Sequence, residues 1–193
     1  MTSDASNGTV GFAGLGRMGS EMSRHLINGG FDVVGYDPSA EASRRFEALG
    51  GTIAASPEGL AGASVIMSSL PATAEMLGFY EGVIPRLVAV SLCIDLSTVS
   101  GDAARRVAGM AAEQSIEFLD APVSGTSTHA AAGTLVIMVG GSISGYERSL
   151  PYLEPFSSLV RHCGTAGMGL EMKLITNRLL TTHLGAIAEA IVD

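Results

Sequence analysis

From residue 9 to about residue 163, short apolar runs alternate with stretches that have a helical pattern. Several of the apolar runs are continuous, as at residues 135–139, which is typical of strands covered on both faces. The alternation predicts an α/β fold with a doubly wound, mainly parallel sheet. The expected strands are residues 9–13, 32–36, 64–69, 93–96, 116–120 and 134–139, with a weaker one at 159–162.

Helices are expected between these strands. The first two are stopped by the glycine pairs Gly29-Gly30 and Gly50-Gly51. Glycine accounts for 25 of the 193 residues, which indicates several tight turns or close backbone approaches. The expected helices are residues 18–28, 40–49, 72–80, 102–114 and 144–153.

The segment from about residue 169 to residue 193 has a different pattern, without proline and without a strand signal. As a helix it would be about 37 Å long at about 1.5 Å per residue. Its apolar residues cover more than one narrow stripe, so the helix must be covered on most sides. We expect residues 1–165 to form the α/β domain. Residues 166–193 would begin an interdomain helix that leads into a missing all-helical domain.

The first expected strand leads directly into a G-x-G-x-x-G sequence that opens the first helix. In such a motif the first glycine makes the turn, the second admits a pyrophosphate and the third allows close packing of helix and strand. A glycine-rich turn alone would be weak evidence, but this context predicts a Rossmann domain that binds a dinucleotide at a helix N-terminus. The expected cofactor contacts here are Gly14, Leu15, Gly16, Arg17, Met18 and Gly19.

Asp37 follows the second expected strand, at the spacing of the acid that binds the adenosine ribose. A carboxylate there accepts hydrogen bonds from the ribose hydroxyls and would repel a 2′-phosphate, which favours NAD over NADP. Arg44 and Arg45 lie one turn further on and keep NADP possible, although they also suit a solvated helix face.

Lys173 is the only lysine among the 11 basic residues of the chain. Burial can lower the pKa of a lysine so that it exchanges a proton, whereas an arginine stays charged. A lysine that extends from an apolar helix into solvent would give the same pattern. Asn177 lies four residues later, on the same helix face. An ammonium and an amide side by side would suit a substrate that carries oxygen atoms.

Residues 120–126 (D-A-P-V-S-G-T) follow the end of a strand, where ligands bind in open α/β sheets. Ser124 could bind a carboxylate together with the backbone N–H groups of Gly125 and Thr126, or the segment could be an ordinary turn. We expect His129 in an exposed loop of small residues. The histidines lack the spacing of metal ligands, so no metal site is predicted.

The net charge of −8 disfavours nucleic acid or an anionic membrane as the main partner. No apolar run is long enough to span a membrane, and the N-terminus lacks the pattern of a signal peptide. Two cysteines, Cys93 and Cys163, lie 70 positions apart, which is typical of reduced thiols in a cytoplasmic protein.

Six motifs in order resemble the β-hydroxyacid dehydrogenase family, which includes 3-hydroxyisobutyrate dehydrogenase and is related to 6-phosphogluconate dehydrogenase. The resemblance covers nearly the whole chain. The motifs are G-L-G-R-M-G at 14–19, L-P at 70–71, D-L-S-T at 95–98, D-A-P-V-S-G at 120–125, A-x-G-T-L at 131–135 and G-x-G-x-x-x-K-x-x-x-N at 167–177.

The resemblance implies an oxidoreductase that transfers a hydride between NAD(H) and a small 3-hydroxy acid or its semialdehyde. Lys173 would be the proton donor or acceptor at the substrate hydroxyl. Further implied roles are catalytic for Asn177 and Ser124, substrate binding for Ser124, Gly125, Thr126, Lys173 and Asn177, and cofactor binding for Leu70, Pro71 and Thr98.

Three positions depart from the family pattern: Thr126 replaces a usual second glycine, Thr176 an asparagine and Gly101 a proline. Family members continue into a helical domain that builds a dimer, so we expect a homodimer or larger oligomer through the terminal helix. An imine reductase and a non-catalytic dinucleotide-binding module are the alternatives. Proteins of both alternative classes usually lack a lysine at this position, so Lys173 favours the dehydrogenase.

Overall fold

A computed structural model of the chain describes residues 8–87 and 92–192. Strands and helices alternate along these residues, as the sequence predicts. The strands are β1 Val10–Ala13, β2 Val33–Tyr36, β3 Thr52–Ile53, β4 Val65–Ser68, β5 Leu92–Asp95, β6 Glu117–Asp120, β7 Val123–Ser124, β8 Leu135–Gly140 and β9 Ser157–Gly164. The α-helices are α1 Arg17–Asn28, α2 Ala40–Ala48, α3 Thr73–Val83, α4 Gly101–Ala112, α5 Ser127–Ala132, α6 Ile143–Leu153 and α7 Met168–Val192.

The strands form one mixed sheet in the order β3-β2-β1-β4-β5-β6-β8-β7, with β9 also paired to β8. The six strands from β3 to β6 are parallel, β8 is antiparallel to β6 and β7, and β9 is parallel to β8. This confirms the predicted doubly wound, mainly parallel sheet. The direction of winding reverses between β1 and β4, which makes a crevice at the carboxyl ends of these strands.

Two hydrophobic cores lie on opposite faces of the sheet, which explains the continuous apolar runs. Neighbouring strand residues point to opposite cores: Phe12 packs with α1 and α2, and Ala13 packs with α3 and α4. Serine caps begin two of the predicted helices, because Ser39 accepts a hydrogen bond from the Ala42 N–H and Ser142 from the Gly145 N–H.

The short elements β3, β7 and α5 were not predicted. The two strands have two residues each, too few to show an alternating pattern. The loop expected around His129 is wrong: residues Ser127–Ala132 form a helix, although His129 is exposed as expected. Thr126 caps the first turn of this helix, and Gly133, with φ of 68°, ends it in the left-handed region.

The helix α7 packs by its first turns against β8, β9 and α4. Leu170 is fully buried there, whereas large apolar side chains from Leu174 onward are more than half exposed. Within the part of the chain that the structure describes, no helix combines the length and apolar character that a membrane crossing needs. Beyond its first turns, α7 therefore carries large apolar side chains that this domain leaves exposed.

Candidate cofactor and substrate site

The carboxyl ends of five parallel strands lie in one row across the sheet. In this row Tyr36 pairs with Ala13, Ala13 with Ser68, Ser68 with Asp95, and Asp95 with Asp120. Four of the six motifs begin at these strand ends or within two residues of them, at residues 14, 70, 95 and 120, and Asp37 follows β2 directly. The topology therefore brings separate parts of the chain to one edge of the sheet.

The glycine-rich loop between β1 and α1 has the shape of a phosphate cradle. Gly14 has φ of +87°, and a Cβ atom at Gly19 would overlap the Gly14 carbonyl oxygen. Gly16 is the N-cap of the 12-residue α1, and a Cβ there would meet nothing within 4 Å. No side chain in the described residues caps this helix, and its first turn has no acid. The open N–H groups fit a pyrophosphate.

Asp37 is held beside this loop by two backbone N–H groups. Its Oδ2 accepts a hydrogen bond from the Leu15 N–H at 2.8 Å, and its Oδ1 accepts one from the Ser39 N–H at 2.8 Å. Each carboxylate oxygen keeps a further lone pair for a ribose hydroxyl. Arg45 forms an ion pair with Glu41 on the exposed face of α2, and Arg44 is also exposed. Their positions match the solvated helix face that was the alternative to NADP binding.

A cleft of about 760 Å³ opens at the switch point between β1 and β4. Of the expected cofactor contacts, eight line it: Gly14, Gly16, Arg17, Met18, Gly19, Asp37, Leu70 and Pro71. The buried Leu15 and the exposed Thr98 are not among the residues that line the cleft. Residues that the sequence did not single out also line the cleft, among them Tyr36, Glu75 and Phe79.

Asp120, at the end of β6, anchors the start of α7. Its Oδ1 accepts a hydrogen bond from the Gly167 N–H at 2.6 Å, and its Oδ2 accepts one from the Leu170 N–H at 2.9 Å. Burial raises the pKa of Asp120, although these hydrogen bonds oppose the shift. A Cβ at Gly140 or Gly169 would meet the Asp120 side chain, which explains why glycines surround it.

Lys173 follows this anchored turn and is only 8% exposed. Burial lowers the pKa of its amine. The neighbouring Met172 and Leu174 are 40% and 53% exposed, whereas Leu170 is buried and Asn177 is half-buried. Lys173 and Asn177 therefore share the covered face of α7. Among the described residues, no ion pair involves Lys173.

Ser124 lies in β7, where it pairs with Val136 of β8, and it is followed by Gly125 with φ of +140°. The Thr126 N–H donates to Nδ1 of His129 at 3.1 Å, and the Thr126 hydroxyl lies 2.9 Å from the same atom. The N–H group of Thr126 that the sequence suggested for a carboxylate is therefore already engaged.

No group of three or more histidine, cysteine, aspartate or glutamate side chains in residues 8–87 and 92–192 could hold a metal ion. A switch-point cleft, a glycine-rich loop at a helix N-terminus and an acid after β2 define a Rossmann dinucleotide-binding domain. The family model for the NAD binding domain of 6-phosphogluconate dehydrogenase matches residues 9–173, and the chain belongs to this family.

Known relatives are hydroxyacid dehydrogenases by name. The chain is 40% identical over 185 residues to "Probable 3-hydroxyisobutyrate dehydrogenase" of Mycobacterium tuberculosis (strain ATCC 25618 / H37Rv), with 95% of this chain and 63% of that protein covered. It is 34% identical over 185 residues to "NAD-dependent L-serine dehydrogenase" of Pseudomonas aeruginosa, with 94% and 62% covered. The chain thus spans less than two thirds of these proteins.

Solved structures share the fold. Mycobacterium tuberculosis 3-hydroxyisobutyrate dehydrogenase with L-serine aligns with a TM-score of 0.93 at 40% identity, over 96% of this chain and 64% of that one. An imine reductase from Myxococcus stipitatus aligns with a TM-score of 0.85 at 18% identity, over 94% of this chain and 64% of that one. The imine reductase therefore shows a common fold and no more.

Proposed function

We propose that this chain supplies the cofactor domain and the catalytic lysine of an NAD-dependent dehydrogenase of small 3-hydroxy acids or their semialdehydes. The carrying observation is Lys173, the single lysine of the chain, buried on the covered face of α7 just after the turn held by Asp120. When bound, the dinucleotide supplies the nicotinamide that takes or gives the hydride.

Lys173 takes the proton of the substrate hydroxyl during oxidation and returns it during reduction. Because burial lowers its pKa, the neutral amine needed to accept this proton is more populated than for an exposed lysine. Asn177, one turn later on the same face, orients the substrate oxygens. These are the roles expected of catalytic groups that touch the substrate.

The substrate carboxylate is bound by Ser124, Gly125 and Thr126, which follow β6 by a few residues. Thr126 contributes its hydroxyl or its N–H once His129 turns away, because Nδ1 of His129 otherwise occupies both groups. The relatives named for 3-hydroxyisobutyrate and L-serine support an acid whose hydroxyl lies two carbons from the carboxyl carbon. We assign the substrate to that class.

The cofactor is NAD in preference to NADP. Asp37 carries this preference, because a carboxylate next to the adenosine ribose repels a 2′-phosphate. The name of the NAD-dependent L-serine dehydrogenase supports it. The proposed cofactor contacts are Gly14, Leu15, Gly16, Arg17, Met18, Gly19, Asp37, Leu70, Pro71 and Thr98.

The exposed apolar face of α7 supports a homodimer or larger assembly of the whole protein. Residues 1–165 then form the cofactor domain, and residues 166–193 begin an interdomain helix. Cys93 and Cys163 are free thiols, which supports the cytoplasm as the compartment. Light scattering of the protein that carries this chain tests the assembly, and a monomer at high concentration contradicts it.

The test of the function is NADH formation by the protein expressed over the whole reading frame that carries this chain. The panel is 3-hydroxyisobutyrate, glycerate, L-serine and threonate, with 4-hydroxybutyrate as the control whose hydroxyl lies one carbon further away. We expect turnover of at least one 3-hydroxy acid and its loss, by about a hundredfold or more, in Lys173→Ala. Normal turnover by Lys173→Ala contradicts the assignment. NAD binding without any product favours a non-catalytic module.

A further inference from the structure

A chain of hydrogen bonds runs through buried side chains at the carboxyl ends of β4 and β5. Oδ1 of Asp95 accepts hydrogen bonds from the hydroxyls of Ser68 at 2.7 Å and Ser97 at 2.6 Å. The Tyr80 hydroxyl lies 2.8 Å from Ser68 Oγ, and the Leu70 N–H donates to Ser97 Oγ at 2.8 Å. Asp95, Ser68 and Tyr80 are fully inaccessible to solvent, and Ser97 is 3% exposed.

All the donors in this series of hydrogen bonds point toward Asp95. Ser68 gives its one hydroxyl proton to Asp95, so the Tyr80 hydroxyl must be the donor in the bond between Tyr80 and Ser68. Ser97 likewise gives its proton to Asp95 and accepts from the Leu70 N–H. The carboxylate oxygen therefore sets the direction of the hydrogen bonds that the three hydroxyl groups donate.

The series of hydrogen bonds ends at two segments that line the cofactor cleft. Leu70 and Pro71 line the cleft, and so do Glu75, Gly78 and Phe79 of α3. Because Pro71 has no N–H, the Leu70 N–H is the backbone donor of this dipeptide. Tyr80 follows Phe79 directly and ties α3 to the same carboxylate.

The other oxygen of this carboxylate makes the burial of the acid more costly. Oδ2 of Asp95 is buried and has no hydrogen-bond partner among the described residues. An unpartnered buried carboxylate oxygen is unfavourable. The buried acid therefore lowers the stability of the fold at this oxygen, which favours a role for Asp95 in orienting its hydrogen-bond partners.

We propose that Asp95 is a positioning residue of the cofactor site: through Ser97 and Ser68 it fixes the Leu70-Pro71 loop and α3 in the shape that accepts the dinucleotide. Within the D-L-S-T sequence of residues 95–98, Asp95 and Ser97 then hold the cofactor cleft in shape. This role concerns binding of the dinucleotide and is independent of the substrate chemistry.

Fluorescence titration of the chain with NADH, without substrate, tests this role. Ser97→Ala removes the acceptor of the Leu70 N–H, and we expect it to raise the Kd for NADH about three- to tenfold. Ser149→Ala is the matched control. It also removes a buried serine hydroxyl, but that hydroxyl donates to the Tyr146 carbonyl within α6, away from the cleft. We expect this control to bind NADH within twofold of the unchanged chain.

Two substitutions at Asp95 separate positioning from packing. Asp95→Asn keeps a carbonyl oxygen that accepts from Ser68 and Ser97, and we expect it to retain most of the affinity for NADH. Asp95→Leu removes the acceptor and is expected to raise the Kd more than tenfold. The thermal unfolding of each variant is recorded alongside its Kd.

NADH binding within twofold of the unchanged chain by both Ser97→Ala and Asp95→Leu would overturn the proposal. Equal losses of affinity in Ser97→Ala and Ser149→Ala would overturn it as well, since general destabilisation would then explain both. If Asp95→Leu does not fold, the two serine variants decide the outcome. Failure to oxidise any hydroxy acid would not affect this result, because the readout is binding of NADH alone.

Discussion

Oδ2 of Asp120 accepts a hydrogen bond from the backbone N–H of Leu170 at 2.9 Å, and this contact joins the end of β6 to the first turn of α7. The second oxygen of the same carboxylate holds the Gly167 N–H. Lys173 lies one turn further along the helix. Asp120 therefore joins the sheet edge directly to the helix that carries the lysine, in addition to the packing of Leu170 and the ion pair between Arg105 and Glu171.

Asp120→Ala should destabilise the fold by about 2–4 kcal/mol, because two N–H groups at the start of α7 lose their buried acceptor. Urea unfolding followed by circular dichroism measures the change. Asp102→Ala is the control: Asp102 lies in the exposed first turn of α4, where it pairs with Arg105, and its loss should change stability by less than about 1 kcal/mol. Equal effects of the two substitutions would remove Asp120 as the anchor.

The stability of the domain should fall as the pH rises from about 4 to about 6. Burial raises the pKa of Asp95 from 3.8 to about 6, so between these values the native state holds a proton that the unfolded chain has lost. The free energy of unfolding then decreases by up to about 3 kcal/mol over this range and levels off above it. Asp95→Asn should flatten this part of the profile. An unchanged profile in the variant would contradict the shift.

Asp37→Ala should weaken NADH binding about tenfold, since the proposed acceptor of the ribose hydroxyls is removed and the Leu15 N–H loses its partner. The affinity for NADPH should fall less, because the charge that repels a 2′-phosphate is gone. Asp32→Ala is the control, as Asp32 is an exposed acid at the opposite end of β2. If the unchanged protein, Asp37→Ala and Asp32→Ala all prefer NADH over NADPH to the same extent, Asp37 does not set this preference.

On the proposed binding of a hydroxy-acid carboxylate at residues 124–126, His129→Ala should lower the KM for the acid about two- to fivefold, because the Thr126 N–H and hydroxyl lose the ring nitrogen that engages them. The Kd for NADH should stay within twofold, which separates the carboxylate pocket from the cofactor cleft. Steady-state kinetics of the whole enzyme measures both. A change in the Kd for NADH with a constant KM for the acid would place His129 at the cofactor cleft instead of the carboxylate pocket, and would contradict this prediction.

The parts of this molecule that follow from local signals were predictable from the sequence. The phosphate loop is one example, since a strand, three glycines and a helix stand next to each other in residues 10–28. Asp37 is another, because its distance from the loop is fixed by one helix and one strand. Each of these features needs few distant contacts.

The buried contacts depend on residues far apart in the chain, which a single sequence does not reveal. Asp120 bonds to N–H groups 47 and 50 residues away, and Asp95 meets Ser68 27 residues away. In the D-L-S-T motif the expected contact was Thr98, which is exposed. Asp95 and Ser97 carry the internal hydrogen bonds instead. The contribution of Phe79 to the cleft depends on how α3 packs, and no local pattern sets that.

The central proposal is that the amine of Lys173, which is not among the residues that line the cleft, lies beside the nicotinamide when the dinucleotide is bound. The chain has one lysine, so labelling with lysine that carries 13C at Cε gives one side-chain signal, from residue 173. We predict that this signal titrates with a pKa below the ordinary 10.5, because burial disfavours the charged form, and that it shifts when NADH is added. Titration at the ordinary value with no response to NADH would place the ammonium in open solvent and would contradict the account.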